Sequence, residues 1–124
     1  MWDFADDAAL ASLTGRIYDQ GGVVAAVCHG PAALVNVKVA EGGYLVDGKE
    51  VAGFTDAEEA AVGLVGIVPF LLESTLRERG ARFHAGPKWS DTVVASDRLI
   101  TGQNPQSAGS VGRRLASALG SLNG

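Results

Sequence analysis

The sequence predicts an α/β sandwich, on three observations. Strand-like and helix-like segments alternate along all 124 residues, 47 % of the residues are hydrophobic, and Val23 to Val27 is apolar at every position. A strand without polar alternation is the pattern of a parallel-type strand buried on both faces. Such a composition offsets the ordering entropy that keeps polar chains unfolded. No repeat, linker or low-complexity tract interrupts the chain, so residues 1–124 are expected to form a single domain.

The elements follow in order. After Asp6 and Asp7, Leu10, Leu13 and Ile17 fall at helical spacing and Gly21-Gly22 stops the pattern, an amphipathic helix with those acids in its first turn. Val23 to Val27 is the buried strand, and Pro31 suits the first position of a helix through Val35. Asp47-Gly48, flanked by short strand-like segments between Tyr44 and Val51, reads as a hairpin. Thr55 and Glu58 have the spacing of a capping box. Another helix is expected to start at Pro69 and to end with Arg77, Arg79 and Gly80. Arg82 to His84, Thr92 to Ala95 and Leu99 to Thr101 are strands, the last two joined by a turn at Ser96-Asp97. Asn104-Pro105 caps a final helix whose core face is Ala108, Val111, Leu115 and Leu119.

Charge and cysteine content narrow the partners. Ten basic against 14 acidic residues give a net charge of −4, with only Arg113-Arg114 adjacent, so no phosphate-tracking stripe exists and nucleic acid is not an expected partner. The longest apolar run, Ala60 to Leu72, contains Gly63, Gly66 and Pro69 and is shorter than the ~20 residues that span a bilayer, so no membrane partner is expected. A lone cysteine and an acidic N-terminus without a secretory pattern point to a cytoplasmic setting.

Chemistry concentrates at the end of the buried strand. Ligands of open α/β folds bind at the carboxyl edge of the sheet, where Cys28 sits. A thiol before a helix N-terminus is favoured as thiolate, the same N–H groups can hold an oxyanion, and Gly30 permits a tight turn and close approach of substrate. His29 supplies a proton acceptor and donor. The corner resembles a hydrolase nucleophile elbow with sulfur in place of oxygen; the inert alternative is a core cysteine ending an apolar strand. Glu58 and Glu59 are both candidates to orient the histidine. Glu58 already completes the capping box, whereas Glu59, about 100° further round the helix, has no such duty and is preferred. His84 is read as structural or superficial, Trp2 and Trp89 as packing residues, and no zinc-type ligand spacing is present.

Ala25 to Leu34, with Cys28-His29-Gly30-Pro31 at its centre, resembles the nucleophile segment of the ThiJ/PfpI superfamily, in its glutathione-independent glyoxalase (glyoxalase III-like) and heat-shock chaperone branch. Met1 to Phe4, Gly53 to Glu59, Val68 to Glu73 and Leu99 to Ser107 fit the same branch in the same order. The resemblance implies a flavodoxin-like three-layer α/β sandwich with a mostly parallel sheet, of which this chain is the C-terminal portion. It implies that Cys28 attacks methylglyoxal or another small 2-oxoaldehyde to give a hemithioacetal, and that His29, polarised by Glu59, shuttles the proton through an enediol to lactate. No metal, cofactor or glutathione is implied. Relatives also carry deglycase, amidase or peptidase, and holdase-chaperone assignments, and fold membership does not choose among them. Family members carry a further N-terminal portion that supplies core strands, an acidic residue beside the nucleophile and a Gly-Gly-His turn; none has a counterpart here. Val23 to Val27 is therefore expected to present an open apolar edge, covered in a homo-oligomer or by another chain.

Overall fold

The computed structural model describes residues 1–123, and side chains up to Ser121. Helix α1 (Ala8–Asp19) opens on Asp7, whose side chain accepts the Leu10 N–H at 2.9 Å, and gives way to Gly21 at φ +91°. Strand β1 (Val24–Val27) leads into a short 3-10 turn, Gly30–Leu34. Strand β2 (Glu50–Val51) precedes helix α2 (Asp56–Ala61), and helix α3 (Leu72–Glu78) precedes strand β3 (Arg82–Phe83). Strands β4 (Val93–Ser96) and β5 (Leu99–Gly102) form a hairpin, and helix α4 (Ala108–Asn123) closes the chain.

The larger sheet has the order β1-β5-β4. β1 is parallel to β5, with Val24 opposite Leu99 and Val27 opposite Gly102, while β4 returns antiparallel. A second, two-stranded sheet pairs β2 with β3 in parallel. The sheets are tied by the Ala52 N–H, which donates to the buried Thr101 hydroxyl at 2.8 Å. Between them and the helices lies one core of Leu34, Val37, Leu45, Val51, Phe54, Leu72, Leu76 and Leu99. The mostly parallel α/β arrangement is the expected one.

Several local expectations are corrected. Asp47-Gly48 is a turn, with Gly48 at φ +74°, but not a hairpin: β2 pairs with distant β3, in a register that seats Val51 and Phe83 in the core. β1 is half-buried rather than buried on both faces, since it lies at the edge of its sheet. In α1 the buried face is Gly15 and Tyr18, and Leu13 and Ile17 are exposed. Helix α3 starts at Leu72 rather than Pro69, because the preceding chain first turns back on the Leu64 carbonyl, which Ile67 and Val68 both address. After Pro31 the chain makes a 3-10 turn, not an α-helix. In α4 Val111 is buried and Leu115 half-buried, whereas Ala108 and Leu119 are exposed. Among the described residues no helix is long and apolar enough to cross a membrane.

Candidate active site

Because β1 and β5 are parallel, Cys28 and Gln103-Asn104 emerge from the same edge of the sheet. Cys28 is pinned there on both sides, its N–H donating to the Gly102 carbonyl at 3.0 Å and its own carbonyl accepting from the Phe54 N–H at 2.8 Å. Its φ is +64°, a conformation that strains a residue with a Cβ by about 1–2 kcal/mol. The turn's left-handed residue is thus Cys28 itself and not Gly30, where a Cβ would meet only the Ala26 methyl at 3.6 Å.

The environment of the thiol departs from the expected thiolate. Burial pushes the Cys28 thiol up; the His29 backbone N–H pulls it down, but the carboxylates of Glu58 and Glu59 push it up again, and the net shift is upward. The following helical segment is only a five-residue 3-10 turn, too short to build a dipole that outweighs burial and two negative charges.

His29 lies between thiol and carboxylate. Its Nδ1 is 3.6 Å from Cys28 Sγ, and its Nε2 is 2.7 Å from Glu59 Oε2. A carboxylate only accepts, so Nε2 donates to it, and in the neutral imidazole Nδ1 is then the acceptor that faces the sulfur. Glu59 reaches across 30 residues of sequence and is almost wholly buried; its Oε1 has no hydrogen-bond partner among the described residues.

The neighbouring Glu58 does different work. Its Oε1 accepts from the Thr55 N–H at 3.1 Å and the Thr55 hydroxyl at 2.9 Å, completing the expected capping box. Its Oε2 accepts from the Trp89 N–H and from Asn104 Nδ2, both at 2.9 Å. Burial raises this carboxyl, but the bonds from Trp89, Asn104 and Thr55 outweigh it and hold Glu58 below the usual carboxylate range.

Sequence reasoning missed the aromatic side of this site. Phe54 stacks on the His29 ring at 4.3 Å between centroids, tilted by 34°. Trp89 follows at 5.8 Å from Phe54, itself at φ +63°. The only sequence signals were the Gly53-Phe54-Thr55 segment and a tryptophan shortly after Gly86-Pro87. Trp2, expected to pack, is 60 % exposed. His84 lies on the surface, 3.1 Å from Glu50. Among the described residues no three His, Cys, Asp or Glu side chains converge as a metal would require.

No family model matches the chain. It is 37 % identical, over 96 % of its length, to a glutathione-independent glyoxalase of Saccharomyces cerevisiae, of which it covers 53 %. Among solved structures it superposes on glyoxalase III of Candida albicans with a TM-score of 0.89 at 32 % identity, covering 94 % of this chain and 52 % of that one. A ThiJ/PfpI domain protein of Brachyspira murdochii, at 20 % identity, shares the fold with a TM-score of 0.67, over 94 % of this chain and 52 % of its own. The chain spans about half the length of the curated relatives it matches.

Proposed function

Because this chain is a relative of the glutathione-independent glyoxalases, matched over about half their length, and has the ThiJ/PfpI fold, we propose that Cys28 is the nucleophile of a glutathione-independent conversion of a small 2-oxoaldehyde to a 2-hydroxy acid. The observation that carries the reading is the continuous Cys28 Sγ, His29 Nδ1, His29 Nε2, Glu59 Oε2 line, with gaps of 3.6 and 2.7 Å.

The raised thiol makes His29 the base that creates the nucleophile at the moment of attack. Sγ bonds to the aldehyde carbon of methylglyoxal while the thiol proton passes to Nδ1 and on to the carbonyl oxygen, giving a hemithioacetal. Nδ1 then takes the proton from that carbon and returns it, through an enediol, to the neighbouring ketone carbon, while the hydroxyl proton of the first carbon passes to the oxygen of the second. The first carbon is thereby oxidised to a thioester and the second reduced to an alcohol. Water cleaves the thioester, so that methylglyoxal plus water becomes lactate and the thiol is restored. Glu59 holds the imidazole in the tautomer this shuttle uses and stabilises it when charged. Gly30 is the substrate-facing position, where a Cβ would touch only the Ala26 methyl, at 3.6 Å. The sequence of steps uses neither metal nor cofactor. Incubation with methylglyoxal and enzymatic detection of lactate tests the proposal; lactate formation that survives Cys28→Ala would refute it. Acyl transfer by the same thiolate, as an amidase, peptidase or deglycase, predicts instead a Cys28 adduct with a peptide electrophile.

The second reading rests on the sheet edge. Among the described residues β1 has a partner only on its β5 side, and Phe4, Leu10, Val24, Val27 and Leu34 line an apolar groove of about 350 Å³ beside it. Residues 1–124, acting as a single piece of the family domain in the cytoplasm, complete that edge with another chain, in a homo-oligomer or as a holdase for unfolded clients. Ala25→Lys places a charge on the edge and is expected to reduce assembly in size-exclusion chromatography. Unchanged elution of wild type and variant at every concentration counts against it.

A further inference from the structure

The loop from Gly86 to Thr92 has almost no backbone partners of its own, and three buried side chains from the β5–α4 corner hold it. Gln103 accepts the Gly86 N–H at 2.7 Å and donates to the carbonyls of Gly86 and Pro87 at 3.2 and 3.3 Å. Asn104 donates to the Ser90 carbonyl at 2.7 Å and to Glu58. Ser107 accepts the Thr92 N–H at 3.0 Å and donates to Asn104 Oδ1 at 2.8 Å. All three are fully buried, as is Glu58, which supplies the remaining anchor at the Trp89 N–H. Burying four polar side chains in one place is costly unless their bonds are made, and here each of the four gives at least one bond to this loop.

The residue that this clamp delivers is Trp89. Its backbone is in the left-handed region, held there by the Glu58 bond, and its indole lies against Phe54, the ring that stacks on His29. Trp89 is 38 % exposed, so it keeps contact with solvent while its indole meets Phe54. A helix cap needs only the Thr55 bonds; those to Trp89 and Asn104 lie outside it.

We propose that Trp89 is a specificity-determining residue of the Cys28 site, seated by Glu58 and Asn104 as positioning residues, and that it limits the size of the group carried by the 2-oxoaldehyde. The proposal rests on the functional reading above for its substrate class. The wall admits a methyl group beside the reacting carbonyls and disfavours an aryl group.

Two measurements decide it, one of them independent of turnover. The first compares Cys28 alkylation by iodoacetamide and by N-phenylmaleimide. The second compares kcat/KM for methylglyoxal and phenylglyoxal. Trp89→Ala is expected to relax both preferences by roughly tenfold, the scale on which an apolar pocket discriminates, while Trp89→Phe keeps them. Glu58→Gln, in a Trp2→Phe background where Trp89 is the only indole, is expected to shift the emission to the red and to relax the preferences as Trp89→Ala does. Wild-type preferences in Trp89→Ala overturn the proposal, as does a Glu58→Gln protein that melts lower but keeps its emission and selectivity. A wild-type protein that makes no lactate yet shows the alkylation pattern removes the functional reading and leaves the wall standing.

Discussion

Glu59→Gln separates the two effects of the buried carboxylate. The substitution keeps the side chain's shape and one acceptor oxygen at the 2.7 Å bond to His29, but removes the charge. A hydrogen bond to a charged group contributes about 1.5–3 kcal/mol and a neutral one about 0.5–1.5 kcal/mol, so the imidazolium of the proton shuttle loses roughly 1–1.5 kcal/mol. At 1.36 kcal/mol per factor of ten, that is about a tenfold fall in kcat/KM for lactate formation. The fall deepens towards the ~10²–10⁴ of a full general base if the amide NH₂ turns to Nε2 and reverses the tautomer. The effect on the thiol has the opposite sign. Glu59 is one of two carboxylates that push the Cys28 thiol up, so removing its charge lets the thiol ionise at lower pH. Lactate formation is therefore expected to fall while iodoacetamide alkylation at neutral pH holds or rises. Turnover within about twofold of wild type, together with an unmoved alkylation profile, would refute the assigned role of Glu59.

Two further predictions concern stability. Cys28→Gly is expected to be more stable than Cys28→Ala by about 1 kcal/mol in urea titrations, because only glycine relieves the φ of +64°; equal midpoints would mean that the elbow is unstrained. The Glu58 carboxyl is held below its unfolded value, so it contributes stability above the unfolded pKa that is lost as pH falls through the folded one. Glu58→Gln is accordingly expected to flatten the acid limb of a midpoint-against-pH curve, and a limb as steep as wild type would exclude that linkage.

Signals that act over a few residues were legible in the chain. The capping box at Thr55-Glu58, the stop at Gly80, the β4–β5 hairpin and the Cys28-His29 corner each depend on near neighbours, and each is found where its residues place it, whereas Asp7, expected in the first turn of α1, caps that helix instead. The choice of Glu59 over Glu58 for His29 was also available, because the cap already occupied Glu58.

What the sequence determined by itself was the α/β alternation and the elbow at the end of an apolar strand, since both follow from local periodicity and backbone preference. Tertiary structure alone decided the rest. Long-range pairing overrode the Asp47-Gly48 hairpin, because a buried parallel register removes more apolar surface from water than a local turn does. The same packing turned Leu13 and Ile17 outward and put β1 at a sheet edge. It also raised the Cys28 thiol by burial and brought Phe54, Trp89 and Asn104 to the site from three separate segments. Desolvation and long-range contact have no local signature, because both depend on which parts of the chain meet.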